Sequence, residues 1–165
     1  LRPRQETFEI RRRTQTGVDS VVASGPLVKD QWIPNMAVSS THLAWFMGST
    51  DRKRTKMSAC ANDPDHGCAI YVKRHDQDTV TRIQARVKMA DMTLDGDLLA
   101  WGSGPGYGED NGQYVYNLDT GALWRLGESS CSMVQLALPY IWTGKVDAPR
   151  GECGYTISKF REPGP

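Results

Sequence analysis

The stretch over residues 92–126 constrains the fold most, because it has the pattern of an antiparallel meander. Two apolar segments, 97–101 and 113–118, have the composition of strands and are separated by a glycine-rich segment. An Asp-Thr-Gly turn at 119–121 then leads into a third apolar segment at 122–126. No segment of the chain has a convincing helical period, so we predict an all-β protein with very little helix.

Three short segments align along the chain, one of them within this stretch, and each carries a tryptophan near its end. They begin at residues 42, 97 and 139 and read HLAWFMGS, DLLAWGSG and PYIWTGK. Each follows a short strand-like segment and precedes a strand that contains tyrosine. With the insertion between Cys60 and Cys68 set aside, the repeat length is about 40–50 residues, as in a four-stranded propeller blade. We therefore interpret the three tryptophans as equivalent wedges between blades, with ligand stacking as the alternative.

The second repeat resembles those of the TolB-type six-bladed β-propellers. The resemblance rests on four features in this sequence: Asp95-Gly96, Trp101, the Tyr114–Tyr116 strand and the Leu118–Gly121 turn. The first and third repeats match the pattern only in part. The resemblance implies a propeller fold, but such propellers serve as binding platforms, periplasmic scaffolds, lyases and peptidase caps. It therefore assigns no catalytic residue here.

We predict a single β-propeller domain over residues 1–165, with about three four-stranded antiparallel blades at 35–84, 88–127 and 130–161. Three blades are fewer than the roughly 4–8 of closed propellers. A strand at 7–14, followed by a connector at 17–34, begins the chain, and the third repeat stops after its third strand. We therefore expect a half-propeller, closed by a second chain whose third blade the 7–14 strand completes. This second chain is either an identical copy or another fragment of a longer precursor.

Four cysteines occur, and an even number is compatible with two disulfides. We expect the pairs Cys60–Cys68 and Cys131–Cys153. The first pair flanks an insertion in the first repeat, and the second lies at the starts of the first and third strands of the third repeat. Free buried thiols are an alternative. Zinc is a further alternative, but its sites usually need closely spaced pairs that this chain lacks. Disulfides would imply a secreted or periplasmic protein. The first residue is not methionine, which we interpret as a removed leader or a cut precursor.

The charge of the chain is nearly balanced, with 20 Lys and Arg residues against 19 Asp and Glu residues. A chain with this balance has no global attraction to nucleic acids or to anionic membranes, so we expect neither as a partner. The longest apolar runs are too short to span a bilayer, which takes about 18 residues. We expect no cofactor.

The sequence lacks the common catalytic and nucleotide-binding motifs, and we expect a non-catalytic, lectin-like binding protein for a glycan or a protein. The glycine-rich loop over 102–112 is the first candidate ligand site, through Tyr107, Glu109 and Asp110. Asp65 and His66, in a polar turn, are a second candidate, and we assign no metal site to them. The alternative function is a propeller lyase or hydrolase with a central site built by two chains.

Overall fold

The computed structural model describes residues 6–27, 31–49, 69–84, 91–102, 112–128, 134–147 and 152–161. Every regular element within these ranges is a β-strand, and all the strand pairs are antiparallel. The predicted all-β class is therefore confirmed for the described part of the chain. That part contains no helix that could span a membrane.

The strands form four sheets, each from a continuous stretch of the chain. The N-terminal hairpin has the strands β1 (Glu6–Arg13) and β2 (Asp19–Leu27). Sheet 1 has β3 (Gln31–Trp32), β4 (Met36–Val38), β5 (His42–Ser49), β6 (Ala69–Arg74) and β7 (Val80–Gln84). Sheet 2 has β8 (Asp91–Asp95), β9 (Leu98–Gly102), β10 (Gly112–Asn117) and β11 (Leu123–Glu128). Sheet 3 has β12 (Val134–Ala137), β13 (Tyr140–Asp147) and β14 (Glu152–Lys159).

The sheets stack face to face in chain order, and an apolar cluster fills each interface. Alternation of side chains along a strand gives each inner sheet two apolar faces, one for each neighbour. Between the hairpin and sheet 1 the buried residues are Ile10, Ala23, Leu43, Trp45 and Met47. Between sheets 1 and 2 they are Ala44, Phe46, Ile70, Val72, Ile83, Met92, Leu94, Leu99, Trp101 and Tyr114. Between sheets 2 and 3 they are Leu98, Ala100, Val115, Val134, Leu136 and Ile141.

Sheets 1 and 2 repeat one arrangement around a tryptophan. Trp45 of β5 pairs with Tyr71 of β6, and their rings stack with centroids 5.8 Å apart. Trp101 of β9 pairs with Tyr114 of β10 in the same way, with centroids 5.6 Å apart. Both indoles face the preceding layer and are buried, at 2% and 1% exposure. These two tryptophans therefore have the wedge position that the sequence predicts.

Trp142 departs from this arrangement, so its predicted equivalence with the other two tryptophans is wrong. Counted from the first turn, the third residue pair of sheet 3 is Gln135 with Trp142. The third pair of sheet 2 is Thr93 with Ala100, so Trp142 corresponds to Ala100 and not to Trp101. The third repeat is thus offset by one residue, which moves every side chain to the other face of the sheet. Trp142 is 41% exposed, on the face of β13 opposite to Ile141.

The N-terminal strand also differs from the prediction, because it is half of a hairpin. The second half, β2, lies within the stretch that the sequence suggests is a connector. Gly25 and Pro26 give that stretch the signal of a loop. In the structure, Gly25 lies against the ring of Phe8, where an added Cβ would be 3.0 Å from the Cε1 atom of Phe8. Within the described residues β2 is an edge strand, where proline is tolerated.

Candidate functional site

Three turns lie side by side along one edge of the stacked sheets. They join the first and second strands of each meander, at residues 39–41, 96–97 and 138–139, and we call this row the turn edge. The hydroxyls of Ser39 and Thr41 donate hydrogen bonds to the Gly96 carbonyl at 3.0 and 3.1 Å. The backbone N–H of Leu138 donates to the Asp95 carboxylate at 2.8 Å. These bonds fix the three turns relative to one another.

His42 lies at the turn edge with a hydroxyl and a carboxylate beside it. Its Nδ1 atom is 2.9 Å from the Thr41 Oγ1 atom and 3.3 Å from the Asp97 Oδ1 atom. A catalytic relay needs the hydroxyl and the carboxylate on different ring nitrogens, whereas both lie at Nδ1 here. His42 is also buried. The group therefore acts as a polar connection between sheets 1 and 2, and it does not have the geometry of a nucleophilic triad.

Replacement of Thr41 by valine tests this connection. The change keeps the shape of the side chain but removes the hydroxyl that contacts Gly96, Asp97 and His42. We expect the free energy of unfolding to fall by about 1–2 kcal/mol, because half-buried acceptors lose a donor. Chemical denaturation measures the change. The neighbouring exposed Ser40, replaced by alanine, is the control and should change stability by less than about 0.5 kcal/mol. Equal effects of the two substitutions would contradict a structural role for Thr41.

A polar cleft opens beside His42, between the β6–β7 turn of sheet 1 and the β10–β11 turn of sheet 2. Its volume is about 230 Å³. Residues from both sheets line it: His42, Val72, Arg74, Gln77, Thr79, Thr81, Tyr116, Leu118 and Asp119. Most of the exposed lining is polar. We call this space the turn-edge cleft, and it is the candidate ligand site.

The charges of the turn-edge cleft largely neutralise one another. The Nε atom of Arg74 lies 3.0 Å from the Oδ1 atom of Asp76, on the same turn. Its Nη1 atom lies 3.8 Å from the Oδ1 atom of Asp119, across the cleft on sheet 2. Both pairs are solvent-exposed, so each contributes at most about 1 kcal/mol to stability. Both pairs give the Arg74 guanidinium carboxylate partners, which reduces the positive charge that it presents to a ligand.

The β10–β11 turn holds Asp119 in place through local hydrogen bonds. The Asn117 side-chain oxygen accepts bonds from the backbone N–H groups of Asp119 and Thr120, both at 2.9 Å. Gly121 follows with a φ of 72°, a conformation that favours glycine. The Asp-Thr-Gly sequence thus gives the wall of the cleft a defined geometry.

The neutral part of the cleft consists of hydroxyl, amide and aromatic groups. Thr79 and Thr81 are two residues apart, so their side chains lie on the same face as the buried Ile83, toward sheet 2. The Thr79 hydroxyl donates to the Gln77 side-chain oxygen at 3.4 Å. Tyr116 projects from β10 and packs against the apolar cluster between sheets 1 and 2. This set can donate and accept hydrogen bonds beside an aromatic ring.

Burial raises the pKa of the Asp91 carboxyl, and a hydrogen bond from the Met92 backbone opposes this shift. Asp91 begins β8, at the opposite end of that strand from the turn edge. It therefore takes no part in the cleft.

The ligand candidates from the sequence, Asp65, His66, Tyr107, Glu109 and Asp110, lie outside the described residues. The same holds for three of the cysteines, Cys60, Cys68 and Cys131. Cys153 lies on β14, and no cysteine in the described ranges is free. The two disulfide pairings stay predictions.

Sequence reasoning missed the residues of the turn-edge cleft, although one signal was present. In the TVTRI segment, Thr79, Thr81 and Ile83 occupy alternate positions. A strand with this pattern has two hydroxyls and one apolar residue on the same face. Tyr116, by contrast, is one of two tyrosines in the same strand, and the sequence does not say which faces a cleft.

Comparison with family models and with curated proteins identifies no relative. No family model matches the chain, and no curated protein is significantly similar to it in sequence. The TolB-type resemblance therefore rests on the repeat motifs alone.

Proposed function

We propose that the chain is a non-catalytic binding module of the β-propeller type, and that it binds a glycan unit in the turn-edge cleft. The observation that carries this proposal is the cleft itself, a polar space at the meeting of two rigid sheets. Its volume of about 230 Å³ is below the roughly 300–1,000 Å³ of sites for drug-sized ligands. The space suits one small polar group, such as a single sugar unit of a longer chain.

A neutral, hydroxyl-rich ligand fits the cleft better than an anion. Arg74 already lies between Asp76 and Asp119, so little positive charge is left for an anionic group. Thr81, Gln77 and the Tyr116 ring offer the hydrogen bonds and the apolar face that a sugar ring needs. These features support a lectin-like function.

The propeller part of the proposal is supported by the stacking of the sheets. Two four-stranded meanders, β4–β7 and β8–β11, pack face to face, and their first strands contact each other. Neighbouring blades of a propeller have this relation, with the turns of successive blades along one edge. We propose that a second propeller chain completes the ring and that the TolB-type resemblance reflects this architecture.

The proposal places the protein outside the cytoplasm. It includes two disulfides, Cys60–Cys68 and Cys131–Cys153, which persist only in an oxidising compartment. A secreted or periplasmic protein would also have access to extracellular glycans.

A glycan-array screen of the full chain, followed by titration of the best glycan, tests the function. Replacement of Thr81 by valine should weaken binding about fivefold, because one hydrogen bond contributes about 1 kcal/mol. The matched control is the same substitution at Thr156, an exposed residue of β14 that is not part of the cleft. This control should leave the affinity unchanged.

Two results would contradict the proposal. The first is an array without selective binding, and the second is an equal effect of the Thr81 and Thr156 substitutions. Turnover of the bound glycan would instead support the alternative function, a propeller enzyme whose central site two chains build.

A further inference from the structure

Two pairs of residues occupy the same place in sheets 1 and 2 but differ completely in burial. Met36 pairs with Trp45 as Met92 pairs with Trp101, and the residues two positions later, Val38 and Leu94, also correspond. Met92 and Leu94 are 9% and 8% exposed, whereas Met36 and Val38 are 57% and 66% exposed. Sheet 1 thus presents an apolar surface at a position that sheet 2 buries.

The residues of sheet 1 that cover Met92 and Leu94 show which kind of element packs at this position. The first two strands of the β4–β7 meander, β4 and β5, turn Ala37, Ala44 and Phe46 toward sheet 2, into the cluster that holds both residues. The position is therefore covered by a β-hairpin with small and apolar side chains on the facing surface.

The N-terminal hairpin covers the part of sheet 1 that β5 and β6 form, and it leaves Met36 and Val38 of β4 exposed. It packs on sheet 1 through the paired residues Ile10 and Ala23, as Ile70 and Ile83 of β6 and β7 pack on sheet 2. The Lys73 ammonium fixes it there by donating to the Val22 carbonyl at 3.0 Å. The hairpin thus takes the place of a third and a fourth strand. Within the described residues β1 pairs with β2 alone, so its other edge is open.

A groove of about 340 Å³ lies where the first and second strands of such a sheet would be. Met36, Val38 and Leu43 give it an apolar surface, while Arg11, Arg12 and His75 lie at its margin. The guanidinium of Arg11 is 2.7 Å from the Glu9 carboxylate, whereas Arg12 is exposed. The margin therefore favours an acidic group next to an apolar strand.

We propose that this groove binds a β-hairpin of a partner chain, which pairs with the open edge of β1 and covers Met36 and Val38. The partner presents small and apolar residues on one face, and an acidic residue near Arg12 would strengthen its binding. This is strand addition to a sheet edge, in which backbone hydrogen bonds supply affinity and alternate side chains supply specificity. It repeats, on the other face of sheet 1, the kind of interface that sheets 1 and 2 already form.

The strand count favours a different chain over a second copy as the partner. Sheet 1 is four strands wide, because its β3 and β4 lie along the same edge of β5. Sheet 3 is already three strands wide, so its pairing with the β1–β2 hairpin of another copy would give a width of five. The β4–β7 and β8–β11 meanders have four strands each, and a partner hairpin with β1 and β2 also makes four.

The experiment uses a synthetic, fluorescently labelled peptide of residues 35–49, the segment that contains β4 and β5 and covers the equivalent position on sheet 2. We expect saturable binding to the full chain by anisotropy. Replacement of the exposed Val38 by aspartate should weaken binding at least tenfold. Replacement of Val80 by aspartate, at an exposed valine outside the groove, should change binding less than twofold. Hydrogen exchange should slow at the β1 amides when the peptide is present.

Three outcomes would overturn the proposal: no peptide binding, equal effects of the two valine substitutions, or binding without protection of β1. Light scattering adds a fourth, because a dimer that Val38→Asp dissociates would assign the groove to a second copy. None of these results depends on glycan binding, so the groove and the turn-edge cleft are tested separately.

Discussion

Replacement of Trp101 by alanine is expected to lower the free energy of unfolding by about 3–5 kcal/mol, the range for buried tryptophan and phenylalanine. Trp101 fills the interface between sheets 1 and 2 and stacks on Tyr114. Its indole Nε1 has no hydrogen-bond partner in the described part of the chain. The loss therefore comes from packing and from the cavity that alanine leaves. Urea denaturation followed by circular dichroism measures it.

Trp142 provides the matched control, because the sequence aligns it with Trp101 while the structure exposes it. The same substitution there should cost less than about 1 kcal/mol, since much of the ring already contacts water. Similar losses at the two positions would mean that sheet 3 has the face orientation that the repeat alignment predicts.

The second large effect is expected at Met92. Its replacement by aspartate should lower the free energy of unfolding by about 4 kcal/mol or more, because an unpaired carboxylate would enter the cluster between sheets 1 and 2. A loss of this size is a large fraction of the total stability of a domain, which is about 5–15 kcal/mol. Thermal and urea denaturation, followed by circular dichroism, measure the loss.

Met36, the equivalent residue of sheet 1, is the control for Met92. Aspartate has a low β-propensity at both positions, so the difference between the two variants reports burial. We expect Met36→Asp to cost about 1 kcal/mol, because this side chain is exposed at the groove. A cost equal to that of Met92→Asp would show that the groove is covered in the isolated chain.

The strands of this chain could be predicted from the sequence because local rules agree with the fold. Short continuous apolar runs in β9 and β10, with Asp-Gly and Asp-Thr-Gly turns at their ends, specify a meander without help from distant residues. The β2 strand was missed for the opposite reason. Its glycine packs closely against the ring of Phe8, and no local pattern reveals such a contact.

Local sequence patterns do not predict which face of the third repeat is buried, nor do they predict the turn-edge cleft. The aligned tryptophans suggest one orientation, but a two-residue turn before Tyr140 sets the register, and a shift of one residue reverses the faces. The cleft needs Thr81 and Tyr116 from different sheets to lie together. That proximity follows from the packing of sheet on sheet, which periodicity does not encode.

The stacking order of the sheets has a consequence for how the molecule opens. Each sheet comes from a continuous stretch of chain and packs on its neighbours in sequence, so stability is distributed along one dimension, as in repeat proteins. Sheet 2 is buried on both faces by described neighbours, whereas the N-terminal hairpin has a described neighbour on one face only. Sheet 3 likewise has a described neighbour on one face only, so local unfolding costs less at these two end layers than at sheet 2. The element with the open β1 edge is therefore one of the two layers that most readily rearrange to accept another strand.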